Sequence, residues 1–411
     1  MDWHAITMMT GAALVGASGL KSLAALVAGR RAARLRRLHY FQTRANFQQR
    51  LAGELQWARA AKPLFKSWSN ERPFRVAAVV DEAVGYKSFY LVPVDGRALP
   101  RFEPGQYVTF HLPVDPQRKP LVRCYSLSQR PREDYYRITV KLMESPAGLG
   151  SGYLHRQVKV GSVLGVQAPQ GNFFLDPRDE LPVVLIAAGV GVAPLWSMLA
   201  TVVHQRSART VHLFAGFRNS QEHPFREQMA ELTTHENIHC DVSYSRPLPK
   251  DRLGTDFDHQ GHVTILRLRQ RLPSNNYRFY VCGPPGMMEQ IVPDLVHWGV
   301  PKKHIHFEAF GPATVRSLQE PSQGVAEPCW VKFAKAEREL EWDGRAPSLL
   351  DFAESAAMCL DSGCRAGSCG ACVVKVLSGN IAHSKSPGVP LAGDECLMCI
   401  GTPRGDVVLD V

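Results

Sequence analysis

Four cysteines near the C-terminus have the residue type and spacing for metal–sulfur chemistry. Cys364, Cys369 and Cys372 form a C-x4-C-x2-C run, and Cys399 follows downstream. Thiolates spaced in this way can clamp two bridged irons, a 2Fe-2S cluster that carries one electron at a time. Gly363, Gly367 and Gly370 suit a tight loop that turns backbone N–H groups towards sulfur. Cys396 is a rival for the fourth ligand position. A zinc ribbon is the competing site, since Cys369-x2-Cys372 and Cys396-x2-Cys399 make two C-x2-C pairs. Zinc, however, has no use for Cys364 or the glycines. Ten cysteines in an enzyme-sized chain, some two residues apart, point to metal chemistry in a reducing compartment and not to disulfides. Cys240 and Cys359 read as small packed residues.

Two further groups of residues could hold phosphates. Arg123-Cys-Tyr-Ser126 combines a cation, an aromatic ring and a hydroxyl, and Gly148-Leu-Gly150-Ser151 offers bare backbone. Gly189-Val-Gly191-Val-Ala-Pro194 lies between the apolar run Val183–Ala188 and the helical stretch Leu195–Val203. Strand, glycine turn and helix N-terminus together aim N–H groups and a positive dipole end at a pyrophosphate. Pro194 fits the first helical turn, where its missing N–H is no loss.

The elements that must position these residues fall into distinct textures. Short β-type runs at Phe74–Val80, Ser88–Val94, Gln106–Leu112, Val122–Leu127 and Tyr136–Leu142 predict a small antiparallel β-barrel over residues 72–178. Strands at Val183–Ala188, Val211–Gly216, His239–Tyr244 and Arg278–Gly283 alternate with helical stretches. They predict a doubly wound α/β domain over residues 179–311. A Pro, Ser, Gln and Gly-rich linker over 312–328 leads to an α+β, β-grasp module over 329–411. That module holds eight Lys and Arg against eleven Asp and Glu, although the whole chain carries a net charge of +10. An acidic module on a basic chain suggests electrostatic docking.

Most of that positive excess sits in one place. Residues 1–71 read as an N-terminal helical anchor followed by an arginine-rich helix. Ala5 to Gly29 is apolar or small apart from Lys21, and Arg30, Arg31, Arg34, Arg36, Arg37, Arg44 and Arg50 follow with no acid among them. Confinement of the excess to this segment argues against nucleic-acid binding. Seven apolar residues contribute roughly −2 to −4 kcal/mol to insertion, and Lys21 costs up to about 3. Residues 5–50 are therefore expected to attach to a membrane, spanning it or lying on it, with the folded body on the cytoplasmic side; a buried helix or a partner-docking segment is the alternative.

Taken in order, these motifs resemble the ferredoxin-NADP reductase superfamily with a C-terminal plant-type ferredoxin, over about residues 72–411. Cys364-Arg-Ala-Gly-Ser-Cys-Gly-Ala-Cys and Leu397-Met-Cys-Ile-Gly-Thr-Pro resemble plant-type ferredoxins. The domain order resembles the phthalate dioxygenase and vanillate demethylase reductase components. The resemblance implies that Tyr125 packs on an isoalloxazine, that Ser126 reaches its N5 region, and that Arg123, Gly148, Gly150 and Ser151 hold its phosphate. FAD is the expected flavin, with FMN open. It also implies that Gly189, Gly191 and Pro194 meet NADPH or NADH, that Cys282, Gly283 and Pro284 border the nicotinamide, and that Phe310 brings an aromatic ring to the flavin. Ser126, Cys282 and Phe310 are the expected catalytic residues. Arg218, Ser245 and Arg246 could grip a 2′-phosphate, which favours NADPH slightly. Ala188 and Ala193 depart from the family pattern, which commonly has Gly and Thr there; the second weakens the expected nicotinamide contacts.

The function expected is electron transfer from NAD(P)H through flavin and cluster to a membrane-associated oxygenase, hydroxylase or desaturase. A hydride carries two electrons and a cluster accepts one, so a flavin belongs between them. Two alternatives are a stand-alone oxidoreductase acting on a quinone, iron chelate or oxygen, and a redox-sensing scaffold. The terminal acceptor and the oligomeric state are not legible.

Overall fold

The computed structural model describes residues 70–310 and 328–411, apart from 118, 146, 177, 178, 359 and 386, together with 47, 48, 51 and 68. The chain divides into two compact units, Met1–Gln56 and Trp57–Val411. The expected anchor, almost all of the linker, and Cys359 lie outside the described residues. Among the described residues, no helix is long and apolar enough to cross a membrane.

The first sheet contains β1 (Arg72–Ala83), β2 (Tyr86–Pro93), β3 (Tyr107–Leu112), β4 (Leu121–Ser126), β5 (Tyr136–Lys141) and β6 (Val163–Val166), in the order β4-β3-β6-β1-β2-β5. Its pairs are antiparallel, and a bridge between Leu127 and Ile138 joins the two edge strands. Closure of this kind removes exposed edges. Alternation in β3 sends Val108, Phe110 and Leu112 into the core beside Phe74, Phe89 and Ile138. Tyr107, Thr109 and His111 take the other face. β6 was not anticipated from sequence. It has four residues, one of them Gly165, and its place between β1 and β3 is set by register and not by local preference. Helix α1 (Leu149–Arg156) follows β5.

The second sheet is parallel throughout and contains β7 (Val183–Ala188), β8 (Val211–Phe217), β9 (Ile238–Tyr244), β10 (His259–Gln260), β11 (Arg278–Gly283) and β12 (Ile305–Ala309), in the order β10-β9-β8-β7-β11-β12. Strand order reverses between β7 and β11, and such a switch point opens a ligand crevice at the carboxyl ends of the strands. Helix α2 (Val192–His204) is buried over most of its length. Helices α3 (Arg226–Leu232), α4 (Ile265–Arg271) and α5 (Pro285–His297) complete this part.

Two hydrogen bonds staple the barrel to the parallel sheet's domain. Ser197 Oγ on α2 donates to the Gln129 carbonyl at 2.5 Å, and Val84 N, in the β1–β2 turn, donates to the Gln221 carbonyl at 2.8 Å.

The C-terminal part holds β13 (Cys329–Phe333), β14 (Arg338–Trp342), helix α6 (Leu349–Ser355), β15 (Val373–Ser378), β16 (Ile381–His383), β17 (Glu395–Leu397), β18 (Gly401–Pro403) and β19 (Val407–Leu409). Five strands run in the order β14-β13-β19-β15-β17, and β16 pairs with β18. Ser348 caps α6 by accepting from Asp351 N at 3.1 Å. Val331, Phe333, Leu349, Ile400 and Leu409 are buried together beneath the cysteine loop.

Phe110 is fully buried and meets the Tyr125 ring edge-on at 5.6 Å between centroids. Phe110→Ala is expected to cost about 3–5 kcal/mol. Denaturant unfolding measures that loss, and flavin content after purification should fall with it.

Candidate functional site

Strand β4 carries the first group of expected site residues. Arg123 and Tyr125 lie over the start of α1: a Cβ placed on Gly150 would meet Tyr125 Oη at 2.9 Å and Arg123 Cγ at 3.0 Å. The chain therefore leaves a side-chain-free cradle beneath a cation and an aromatic ring. Ser151 Oγ donates to the Gly148 carbonyl and accepts from Met143 N, both at 3.2 Å, so its hydroxyl fixes this turn. These residues suit a flavin pyrophosphate, with N–H groups at a helix start and a guanidinium nearby.

Across the switch point, β7 ends in the turn Gly189–Gly191. Gly189 has φ +55°. A Cβ on Gly191 would lie 2.1 Å from the Cys282 carbonyl oxygen, so only glycine permits this approach of the turn to β11. Helix α2, with Pro194 in its first turn, starts without a side-chain cap, an arrangement that lets an anion take that place. Cys282, Gly283 and Pro284 border the crevice from β11, and Cys282 is fully buried. Arg218, Ser245 and Arg246 converge at the ends of β8 and β9, where Ser245 N donates to the Phe217 carbonyl at 3.0 Å and Arg246 N to that of Arg218 at 2.8 Å. Arg218 is 59% exposed and pairs with Glu222 at 3.3 Å. Glu222 is thus an acid beside Arg218 that sequence reading did not identify.

One acid inside the site was also missed. Glu308 on β12 lies opposite Cys282 of β11 in register and accepts a hydrogen bond from Ser126 Oγ at 3.4 Å. Burial pushes its pKa up to about 8, against the attraction of Lys385 and the Ser126 hydrogen bond. Ser126, Cys282 and Glu308 therefore converge where the barrel faces the crevice. Phe310, two residues further along, is 38% exposed, and none of its described contacts ties it to that group.

The cysteine sulfurs fall into two pairs, Cys364 with Cys369 and Cys372 with Cys399. Backbone N–H groups surround them. Ala366 N, Ser368 N and Cys369 N donate to Cys364 Sγ at 3.4, 3.2 and 3.2 Å. Cys364 N and Ala371 N donate to Cys369 Sγ at 3.2 and 3.5 Å, and Gly367 N to Cys399 Sγ at 3.3 Å. Gly367 and Gly370 have φ of +71° and +74°, which the tight loop requires. Hydrogen bonds from Cys124 and Cys369, then from backbone N–H groups, hold Cys364 well below an ordinary thiol. Cys396 is different: it is fully buried on β17, burial alone pushes its thiol up to about 12, and it joins neither pair. Among the described residues, no three His, Cys, Asp or Glu side chains converge on a single metal position. Two thiol pairs, with N–H donors on Cys364, Cys369 and Cys399, fit two bridged irons.

The cysteine loop sits against the outer face of β3 and β4. Tyr107 Oη donates to the Ser368 carbonyl at 2.5 Å and to that of Gly388 at 3.2 Å, and Arg123 Nη1 donates to the Gly363 carbonyl at 2.8 Å. Asn172 Nδ2 donates to the Pro387 carbonyl at 2.9 Å, and Lys119 pairs with Asp361 at 2.7 Å. The last pair is well exposed and adds at most about 1 kcal/mol.

Comparison with known proteins matches three family models in chain order. They are an oxidoreductase FAD-binding domain over residues 92–175, an oxidoreductase NAD-binding domain over 185–292, and a 2Fe-2S iron-sulfur cluster binding domain over 332–404. The flavohaem-like FAD/NAD-binding domain of nitric oxide dioxygenase from Vibrio cholerae is 36% identical, with a TM-score of 0.54, and the match covers 59% of this chain and all of that one. The chain belongs to the ferredoxin-NADP reductase superfamily. A flavohemoprotein from Bacillus cereus is 40% identical over 256 residues, 61% of this chain and 63% of that protein. The chain thus spans about three fifths of the length of the curated relatives it matches. Phthalate dioxygenase reductase shares the fold at 23% identity and a TM-score of 0.53, covering 83% of this chain and 98% of its own. This superfamily member therefore combines FAD-binding, NAD-binding and 2Fe-2S domains.

Glu308 lies in the family-like segment Glu308-Ala-Phe310, but only the register of β11 and β12 shows that its carboxyl meets Ser126. Below about pH 8 that carboxyl keeps its proton, and above it the group ionises beside Ser126. Flavin reduction by NAD(P)H, followed by stopped flow, is expected to slow as pH rises through that value. Glu308→Gln, neutral throughout, should remove the alkaline fall while holding the neutral-pH rate within about tenfold.

Proposed function

We propose that this chain is an NAD(P)H-dependent electron-transfer reductase in which electrons pass from the nicotinamide through FAD and a 2Fe-2S cluster to a separate acceptor protein. One observation carries the reading: the cysteine loop rests on the outer face of the strand whose residues Arg123, Tyr125 and Ser126 form the flavin motif. That contact supports a flavin site and a cluster site close to each other within one folded body.

The side chains divide the work. Arg123 and the Gly148–Ser151 turn would hold the flavin pyrophosphate, with Tyr125 against the ring system. The Gly189–Gly191 turn and the start of α2 would hold the coenzyme pyrophosphate, and Cys282, Gly283 and Pro284 would shape the nicotinamide position. Glu308 would present its carboxyl to Ser126, whose hydroxyl donates to Oε2. Bound FAD supplies the conversion between hydride pairs and single electrons. Cys364, Cys369, Cys372 and Cys399 would hold the cluster, whose N–H donors favour the added electron. Arg218 and Arg246 support NADPH as the donor, because both stand at the ends of β8 and β9, with Arg218 engaged by Glu222.

The acceptor we propose is a membrane-associated oxygenase, hydroxylase or desaturase, and this chain would attach to the membrane through its residues 5–50 with its redox domains on the cytoplasmic side. The acidic balance of the C-terminal module supports docking on a basic partner face. A second reading, a haem protein as acceptor, is supported by the 40% identity to a flavohemoprotein.

Cys369→Ser is expected to retain NAD(P)H:ferricyanide activity and to lose cytochrome c reduction, measured spectrophotometrically on protein of known flavin and iron content. Retention of both activities would rule out the cluster relay. Arg246→Ala should lower kcat/KM for NADPH about tenfold and leave NADH little changed.

A further inference from the structure

Tyr107 stands opposite Ser126 in the β3–β4 register, at the end of the flavin motif where Ser126 Oγ meets Glu308. Residues directly opposite one another share a face of the sheet, so the Tyr107 side chain leaves on the Ser126 side and runs outward to the cysteine loop. There its one O–H is shared between the Ser368 carbonyl at 2.5 Å and the Gly388 carbonyl at 3.2 Å. The residue after Ser368 is the ligand position Cys369. Gly388 N donates to the Gly367 carbonyl at 2.9 Å, so the two segments that Tyr107 meets are already tied to each other. The ring lies in a slot that glycines leave open. A Cβ on Gly171 would lie 2.7 Å from Tyr107 Cε1, and one on Gly388 would lie 3.0 Å from Tyr107 Oη. The backbone of Tyr107 is pinned by a two-way pairing with Gln170, N to O at 3.0 and 2.9 Å, and the residue is only 3% exposed.

The other contacts described between barrel and loop are less suited to setting a distance. Arg123 is shared with the flavin cradle, Asn172 reaches Pro387 at an exposed position, and the Lys119–Asp361 pair is open to water. A tyrosine is a rigid ring on few rotatable bonds, so its hydroxyl has little freedom once the ring is seated.

We propose that Tyr107 is a positioning residue for electron transfer from flavin to cluster: its hydroxyl clamps the Ser368 and Gly388 carbonyls and so holds the cluster loop at the Ser126 end of the flavin motif. The inference rests on the relay proposed above. One electron passes from reduced flavin to the cluster, and Tyr107 itself gains and loses neither electron nor proton. The clamp acts on this second step alone, because hydride reaches the flavin from the crevice whereas the hydroxyl points to the loop.

The test uses the full-length protein, with flavin, iron and sulfide measured first. Wild-type protein that lacks either cofactor, or whose cluster NAD(P)H does not reduce, would sink the relay itself and leave the clamp without its premise. Tyr107→Phe keeps the ring and removes the donor. In anaerobic stopped flow its flavin reduction should stay within about twofold of wild type, while the following cluster reduction slows about three- to tenfold, the range that one neutral hydrogen bond sets. EPR of half-reduced protein should show weaker magnetic coupling between the flavin radical and the reduced cluster. Gly388→Ala, made on the module side, crowds the same hydroxyl and should slow the same step; it decides alone if Tyr107→Phe is purified without flavin. Unchanged cluster reduction overturns the proposal, as does slower reduction with unchanged coupling. Equal slowing of both steps also overturns it, since that indicates general damage to the barrel.

Discussion

The alternation of side chains along β4 is the constraint on which the rest of the molecule depends. In an extended strand, successive side chains point to opposite faces. Arg123 and Tyr125 therefore lean over the Gly150 cradle while Val122 faces the cysteine loop, and the end of the long Arg123 side chain reaches that loop as well, at the Gly363 carbonyl. One short element thus contributes side chains both to the cradle and to the contact with the cysteine loop. A slip of one residue in its pairing with β3 would exchange the two sets and separate both sites from their supports.

The barrel exists to hold that register. Phe110, Leu112 and Val108 anchor β3 from within, and the Leu127–Ile138 bridge prevents β4 from behaving as a free edge. The same sheet presents Tyr107, whose hydroxyl meets two carbonyls of the C-terminal module. On the nucleotide side the demand is for close backbone approach, and Gly191 meets it against the Cys282 carbonyl. Side-chain alternation governs one half of the reductase and the absence of a side chain governs the other.

Much of this was legible in the sequence where the signal is local. The spacing of Cys364, Cys369, Cys372 and Cys399, and the glycine turn after Val183–Ala188, are fixed by short-range geometry that any fold must respect. Convergence was not legible. Glu308 reaches Ser126 only because β12 pairs with β11 at a particular register, across 182 residues of chain. Cys124 carried no separate reading within its motif, since its meeting with Thr109 depends on the register of β3 and β4. β6 was missed because four residues around Gly165 carry too little period-two pattern to stand out. Cys396 and Cys399 are equivalent as a pattern, and only burial and placement separate them.

The pair of staples between the barrel and the parallel sheet has a mechanical consequence. Gln129 holds the start of α2 through Ser197, and the β1–β2 turn holds Gln221 through Val84. The Ser126–Glu308 hydrogen bond and the Lys141–Glu222 ion pair cross the same boundary, and a joint pinned at several separate points resists swinging open like a door.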